Sequence, residues 1–158
     1  MATEDEKKRN LVKMLNLVLF GLAQGMWDLL GEASNAATRL IGETNIDMLQ
    51  KDMGFEIAGE DVQDVLIELQ RIFVDELGAM TKAGSKVEGD QVELTCTDCQ
   101  LLSMSKQLLA ADIQPYICPF RGMAVAAMEK NLGVRTRIVG TEIDPDKRVC
   151  VHTFEMIR

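Results

Sequence analysis

The stretch Met80-Thr81-Lys82-Ala83-Gly84-Ser85-Lys86-Val87-Glu88-Gly89-Asp90-Gln91-Val92-Glu93-Leu94-Thr95-Cys96 decides the fold class, because here the spacing of apolar residues changes. Val92, Leu94 and Cys96 alternate with Glu93 and Thr95, the two-residue period of a strand with one buried face. Glu88-Gly89-Asp90 is a turn signal, so residues 80–87 and 91–96 are expected to form a β-hairpin. Upstream the period is helical. Residues 11–30 are strongly apolar, a second helix is expected over 33–40, and weaker helical material covers 46–53. Asp61 then offers an N-cap to a helix carrying Val62, Val65, Leu66, Leu69, Ile72, Phe73 and Leu77.

Downstream, Asp98 precedes a helical run through Leu101, Leu102, Met104, Leu108 and Leu109. Cys118-Pro119 opens another through Val125, Met128 and Leu132, closed by Gly133. Two last strands, 134–143 and 147–157, are joined by Asp144-Pro145-Asp146, with proline at a favoured turn position. Helices come first and hairpins later, without a repeated βαβ unit. The expected class is α+β, with about five helices packed on a four-stranded antiparallel sheet.

A chain of 158 residues fits one domain, 1–158, with 1–10 as a charged N-terminal tail. Ten methionines against five phenylalanines, one tyrosine and one tryptophan give a soft, adaptable interior. A net charge of -8, with lysine and arginine scattered, opposes a nucleic-acid partner. Nothing in residues 1–10 resembles a basic export leader, and a cytoplasmic location is expected. Lys13, Asn16, Gln24 and Asp28 interrupt the apolar run 11–30 along one narrow line, which argues against a membrane span. Such a helix is either central or covered by a partner. Phe20 lies on the polar line as a candidate subunit contact, and Gly21 and Gly25 suggest close approach of another backbone. A homodimer through this first helix is the expectation, beside the alternative of a core helix with one exposed aromatic.

All four cysteines and the one histidine fall in the second half of the chain, at Cys96, Cys99, Cys118, Cys150 and His152. Cys96 closes a strand, Cys99 is expected in the first turn of a helix, Cys118 at a helix N-cap, and Cys150 and His152 on one strand face with Phe154 and Met156. Helix starts favour the thiolate form that metals bind, and Cys-x2-Cys is good chelate geometry. Zinc would take four of the five groups. Inert packing of buried thiols and a redox-responsive thiol pair are the competing accounts. Structural disulfides are disfavoured, since nothing places the chain in an oxidising compartment.

Three stretches resemble the 4-vinyl-reductase family, also described as predicted hydrocarbon-binding domains. They are Phe20-Gly21-x3-Gly25-Met26-x3-Leu30-Gly31-Glu32 with Gly42 beyond, Val92-Glu93-Leu94-Thr95-Cys96, and Cys118-Pro119-Phe120-x-Gly122 with Cys150-Val151-His152-Thr153-Phe154. The resemblance implies a fold akin to the ligand-binding domains of Golgi-transport subunits and nitric-oxide sensors, a small apolar ligand, and here a stand-alone domain. It departs where His152 holds a place that the family often gives to cysteine.

The expected function is a non-enzymatic binding module for a small hydrophobic molecule, with a structural zinc site. Met14, Met26, Met104, Met123 and Met128 are candidates either to line its pocket or to fill the core. A thiol or metal sensor is the second reading. A reductase acting on a tetrapyrrole vinyl group is the third, opposed by the lack of a Gly-rich dinucleotide fingerprint and of cluster-type cysteines.

Overall fold

The computed structural model describes residues 1–157. Its first helix, α1 (Glu4–Leu30), starts well before Leu11 because Thr3 builds a capping box. The Thr3 hydroxyl accepts from the Glu6 N–H, the Glu6 carboxylate accepts from the Thr3 N–H, and Glu4, Asp5 and Glu6 complement the helix dipole. A 3-10 turn (Gly31–Ala36) leads into α2 (Ala37–Met48), which loosens into a π turn over Leu49–Met53. Asp61 caps α3 (Val62–Arg71) through the Asp64 N–H, as its position suggested. The remaining elements are β1 (Lys82–Glu88), β2 (Gln91–Thr97), α4 (Leu102–Ala110), α5 (Pro119–Leu132), β3 (Arg135–Asp144) and β4 (Val149–Ile157).

The four strands form one antiparallel sheet in the order β1-β2-β4-β3, so the α+β architecture stands as expected from the sequence. Its inner face carries rows of paired residues: Ala83, Cys96, Cys150 and Ile143, then Ser85, Leu94, His152 and Thr141, then Val87, Val92, Phe154 and Ile138. A β-bulge falls between Ile138 and Gly140, leaving Val139 without a partner. Strict alternation from Thr136 and Ile138 would turn residues 140 and 142 inward. The bulge brings Thr141 and Ile143 inside instead.

Helix α5 is buried continuously from Phe120 to Met128 and packs between the sheet, α3 and α2. Its crossing with α2 is a backbone contact: a Cβ on Gly42 would lie 2.0 Å from the Gly122 carbonyl oxygen. Within the chain it is this pair, and not Gly21 or Gly25, that allows helices to approach, since nothing lies within 4 Å of a Cβ at either of those two.

Helix α1 is oriented against the usual rule. Of its polar line only Asn16 is buried, donating to the carbonyls of Val12 and Gln100 and accepting from the Met104 N–H at the start of α4, while Lys13 and Asp28 stay exposed. Phe20, Ala23 and Trp27 follow on the same side and join Met104, Leu108, Ile113 and Tyr116 in a second apolar cluster. Phe20 is therefore an internal contact, partly buried against the cluster that Ala23 forms with α4 and Tyr116. The opposite face, with Leu11, Met14, Leu15, Val18, Leu22 and Leu29, is exposed. The helical stretch Glu4–Met53 is long and apolar enough to cross a membrane by length and composition, and only 11% of its most apolar window is buried.

Candidate metal centre and adjoining cavity

Four of the five sulfur and imidazole groups are presented by regular structure. Cys96 and Cys150 are directly paired across β2 and β4, and His152, two residues on, shares their face. Cys118 is the N-cap of α5, where Pro119 supplies the fixed φ of a first helical position. Cys99 does not open a helix. Asp98 takes a positive φ, the Asp98 N–H goes to the Arg148 carbonyl and the Gln100 N–H to the Ala79 carbonyl, so α4 starts only at Leu102 and Cys99 sits in the connecting turn.

These groups converge. The ligand atoms of Cys96, Cys150 and His152 all lie within 4.8 Å of one another, and all three residues are buried. The Cys150 sulfur is 3.6 Å and the Cys118 sulfur 3.8 Å from His152 Nε2. Cys150, paired with Cys96 across β2 and β4, and Cys99 are the polar neighbours of the Cys96 thiol. A tetrahedral zinc with Zn–S of about 2.3 Å and Zn–N of about 2.0 Å has S···N edges of about 3.5 Å, which the Cys150–His152 and Cys118–His152 separations approach. All four cysteines are free.

The electrostatics are those of a neutral, desolvated nest. Hydrogen bonding with Cys150 and burial hold the Cys96 thiol well above the usual thiol range, and the Cys96 contact followed by burial does the same for Cys99. Burial pushes Cys118 up to about 11, which the backbone N–H groups of its helix start oppose only in part. The expectation of lowered thiol pKa values at helix starts is thus overturned: desolvation outweighs the helix dipole here. His152 is lowered to about 3, first by burial and then by the positive charge of Arg121. Without a metal the Cys96, Cys99 and Cys118 thiols stay protonated and the imidazole neutral.

Behind the imidazole lie two residues that the sequence reading did not single out. Thr141 Oγ1 is 2.8 Å from His152 Nδ1 and accepts from the Arg121 guanidinium at 3.2 Å. This contact orients the ring with Nε2 toward the sulfurs, the usual arrangement behind a ligating histidine. Arg121 is 1% exposed, and burial lowers its pKa to about 10, which leaves it a cation at neutral pH. Its signal was present in the sequence: it is the sole charge in the otherwise apolar run 118–128. Thr141 gave no such signal, because the bulge at Val139 reverses its side.

Arg121 also lines a cavity of about 670 Å³ between the start of α2, α5 and β3. Its walls include Val125, Ile138 and Val139 together with Thr38, Gln114 and Thr136. None of Met14, Met26, Met104, Met123 and Met128 reaches it; Met104, Met123 and Met128 fill the core.

The family model described as "Putative rubredoxin C-terminal domain" matches residues 15–154. No curated protein matches the chain. Among solved structures, a variant of Tt H-NOX is 13% identical with a TM-score of 0.49, covering 100% of this chain and 74% of its own. An oxygen-binding H-NOX domain related to soluble guanylate cyclases, in its oxygen complex, is 12% identical with a TM-score of 0.48 and the same coverage. Since the family model spans the sheet, α4, α5 and all five sulfur and imidazole groups, the chain belongs to the putative rubredoxin C-terminal domain family.

Proposed function

We propose that this chain is a cytoplasmic, non-enzymatic binding module for a small, largely apolar molecule, with a zinc ion clamping its last hairpin to β2 and to either the start of α5 or the turn before α4. The observation that carries the reading is the buried trio of Cys96, Cys150 and His152 with Cys118 and Cys99 adjoining it. The trio would supply three ligands, and the fourth place falls to Cys118 on one side or Cys99 on the other. Zinc would act here as a structural crosslink between segments remote in sequence. The short stretches that resemble 4-vinyl-reductase domains, and the 670 Å³ cavity beside α5, support the ligand-binding half. The raised thiols count against a peroxide-reactive sensor. Elemental analysis of the purified protein is expected to find one zinc per chain, lost in Cys150→Ser and His152→Ala and retained in one of Cys99→Ser and Cys118→Ser. Protein free of zinc that takes none up from micromolar solution would refute the metal centre.

The exposed face of α1 completes the proposal as a two-fold homodimer contact. Leu11, Leu15, Val18, Leu22, Gly25 and Leu29 are spaced four and three residues apart in turn, the seam of a helix pair. With Met14 they form one exposed apolar stripe along the helix, the kind of surface that a second copy would cover. Light scattering should report twice the chain mass, and Leu22→Glu a single chain. A monomeric parent protein that sediments with phosphatidylcholine vesicles would replace the dimer with a membrane contact.

A further inference from the structure

Five buried side-chain polar atoms have no hydrogen-bond partner among the described residues: Asn35 Oδ1, Thr38 Oγ1, Gln114 Oε1, Arg121 Nε and Thr136 Oγ1. All five belong to residues that line the single cavity between α2, α5 and β3. Orphaned polar atoms are few in a folded protein, and each costs about 1–3 kcal/mol when left unmade. Scattered defects would not gather in one place. Their concentration around one concavity marks it as built to hold polar atoms that the chain does not itself provide.

The charge of those missing atoms follows from the cationic groups. Arg121 and Thr38 are both almost wholly buried, and Arg121 has no carboxylate in ion-pair contact among the described residues. Arg39 and Arg135 also line the cavity, against a single acid, Glu129, which is already engaged by both at 3.0 and 4.0 Å. The cavity is therefore net positive in a protein whose net charge is -8. A buried guanidinium with an open Nε–H, flanked by two free hydroxyls, is matched by a planar anion that accepts several hydrogen bonds. The lining also includes Val125, Ile138 and Ile157, which offer a surface to hydrocarbon.

We infer that this cavity binds an amphiphilic monocarboxylate, its carboxylate against Arg121, Thr38 and Thr136 and its hydrocarbon part along Val125, Ile138 and Ile157. The inference rests on the ligand-binding half of the proposed function and names its chemical class. It also explains why an arginine is kept inside an apolar helix: Nη1 serves the Thr141–His152 contact while Nε serves the ligand. The same guanidinium thereby stands two hydrogen bonds from the metal centre on one side and at the ligand on the other.

Isothermal titration of the intact protein with decanoate, 1-decanol and inorganic phosphate tests this. Decanoate is expected to bind about 10- to 100-fold more tightly than decanol, the worth of charge-assisted hydrogen bonds. Phosphate, lacking the hydrocarbon part, should bind more weakly than decanoate. Arg121→Met should erase the preference for decanoate over decanol, and Thr136→Val, at a half-buried position, should weaken decanoate alone by several-fold. Should Arg121→Met fail to fold, the parent protein and Thr136→Val still decide. Equal binding of decanoate and decanol overturns the carboxylate and leaves the apolar-ligand reading intact. Binding of neither overturns both, and phosphate binding as tightly as decanoate overturns the amphiphile.

Discussion

Gly42→Ala should be among the most damaging single-atom changes this fold can suffer. Its new Cβ would lie 2.0 Å from the Gly122 oxygen, 2.3 Å from the Gly122 carbon and 2.9 Å from the Met123 nitrogen. Ordinary carbon contacts lie at about 3.5–4.0 Å, so α2 has to withdraw from α5 by roughly 1.5 Å. The obstacle is backbone inside a buried helix, which no rotamer change can move aside. Overpacking of this kind costs about 1–3 kcal/mol and occasionally more, and a backbone obstacle belongs at the upper end. The helical gain of alanine over glycine returns about 0.5–1 kcal/mol. A net loss of about 2–3 kcal/mol is expected, and at about 2–4 °C per kcal/mol for this chain length, a fall in Tm of roughly 4–12 °C. Gly21→Ala is the control: nothing lies within 4 Å of its Cβ, and it stands beside the Leu11–Leu29 seam, so it should gain about 0.5–1 kcal/mol. Urea titration with an unchanged m-value measures both. A Gly42→Ala protein as stable as its parent would refute the backbone-contact account of the α2–α5 crossing.

Asn16→Leu should lose about 2–4 kcal/mol despite placing an apolar residue on a buried helix face, because it orphans the Met104 N–H and the Gln100 carbonyl; a urea midpoint at or above that of the parent would show those groups to be satisfied elsewhere. In the metal-free protein, His152 should make stability fall with acid. The unfolded chain binds this proton below about 6.5, whereas the folded one resists it until about 3, so stability is full at neutral pH and declines between those values by about 1.4 kcal/mol per pH unit. Comparing urea midpoints from pH 7 to 4.5 in chelator isolates the effect, since His152→Asn should remove that part of the slope; parallel profiles would show that the imidazole is not held neutral.

The sequence made the secondary structure legible wherever one local signal dominated. Asp61 as a cap, Cys118-Pro119 as a helix start, Gly133 as its stop and the alternation through Cys150, His152 and Phe154 all act over a few residues, and the structure follows them. Departures came where distant partners decided. Asn16 belongs to a polar stripe that pattern alone assigns to solvent, and only the open N-terminus of α4 turns it inward. Asp98 is a good cap by composition and predicts a helix through Cys99, whereas pairing with Arg148 and Ala79 holds that segment as a turn. The candidate ligand residues of the second half are each visible in the sequence. Their convergence depends on strand register, which sequence spacing does not state.

The bulge at Val139 gives β3 a spare residue. Ile138 and Thr141 keep their partners Phe154 and His152 on either side of it, while Val139 pairs with nothing, stands 59% exposed and forms part of the cavity rim. Changing that side chain, or deleting it, would leave the ladder beneath His152 in phase while resizing the entrance beside Arg121. If the cavity takes a ligand as proposed, selectivity at its mouth can thus drift independently of the sulfur nest, and one scaffold could serve different guests without rebuilding its anchor.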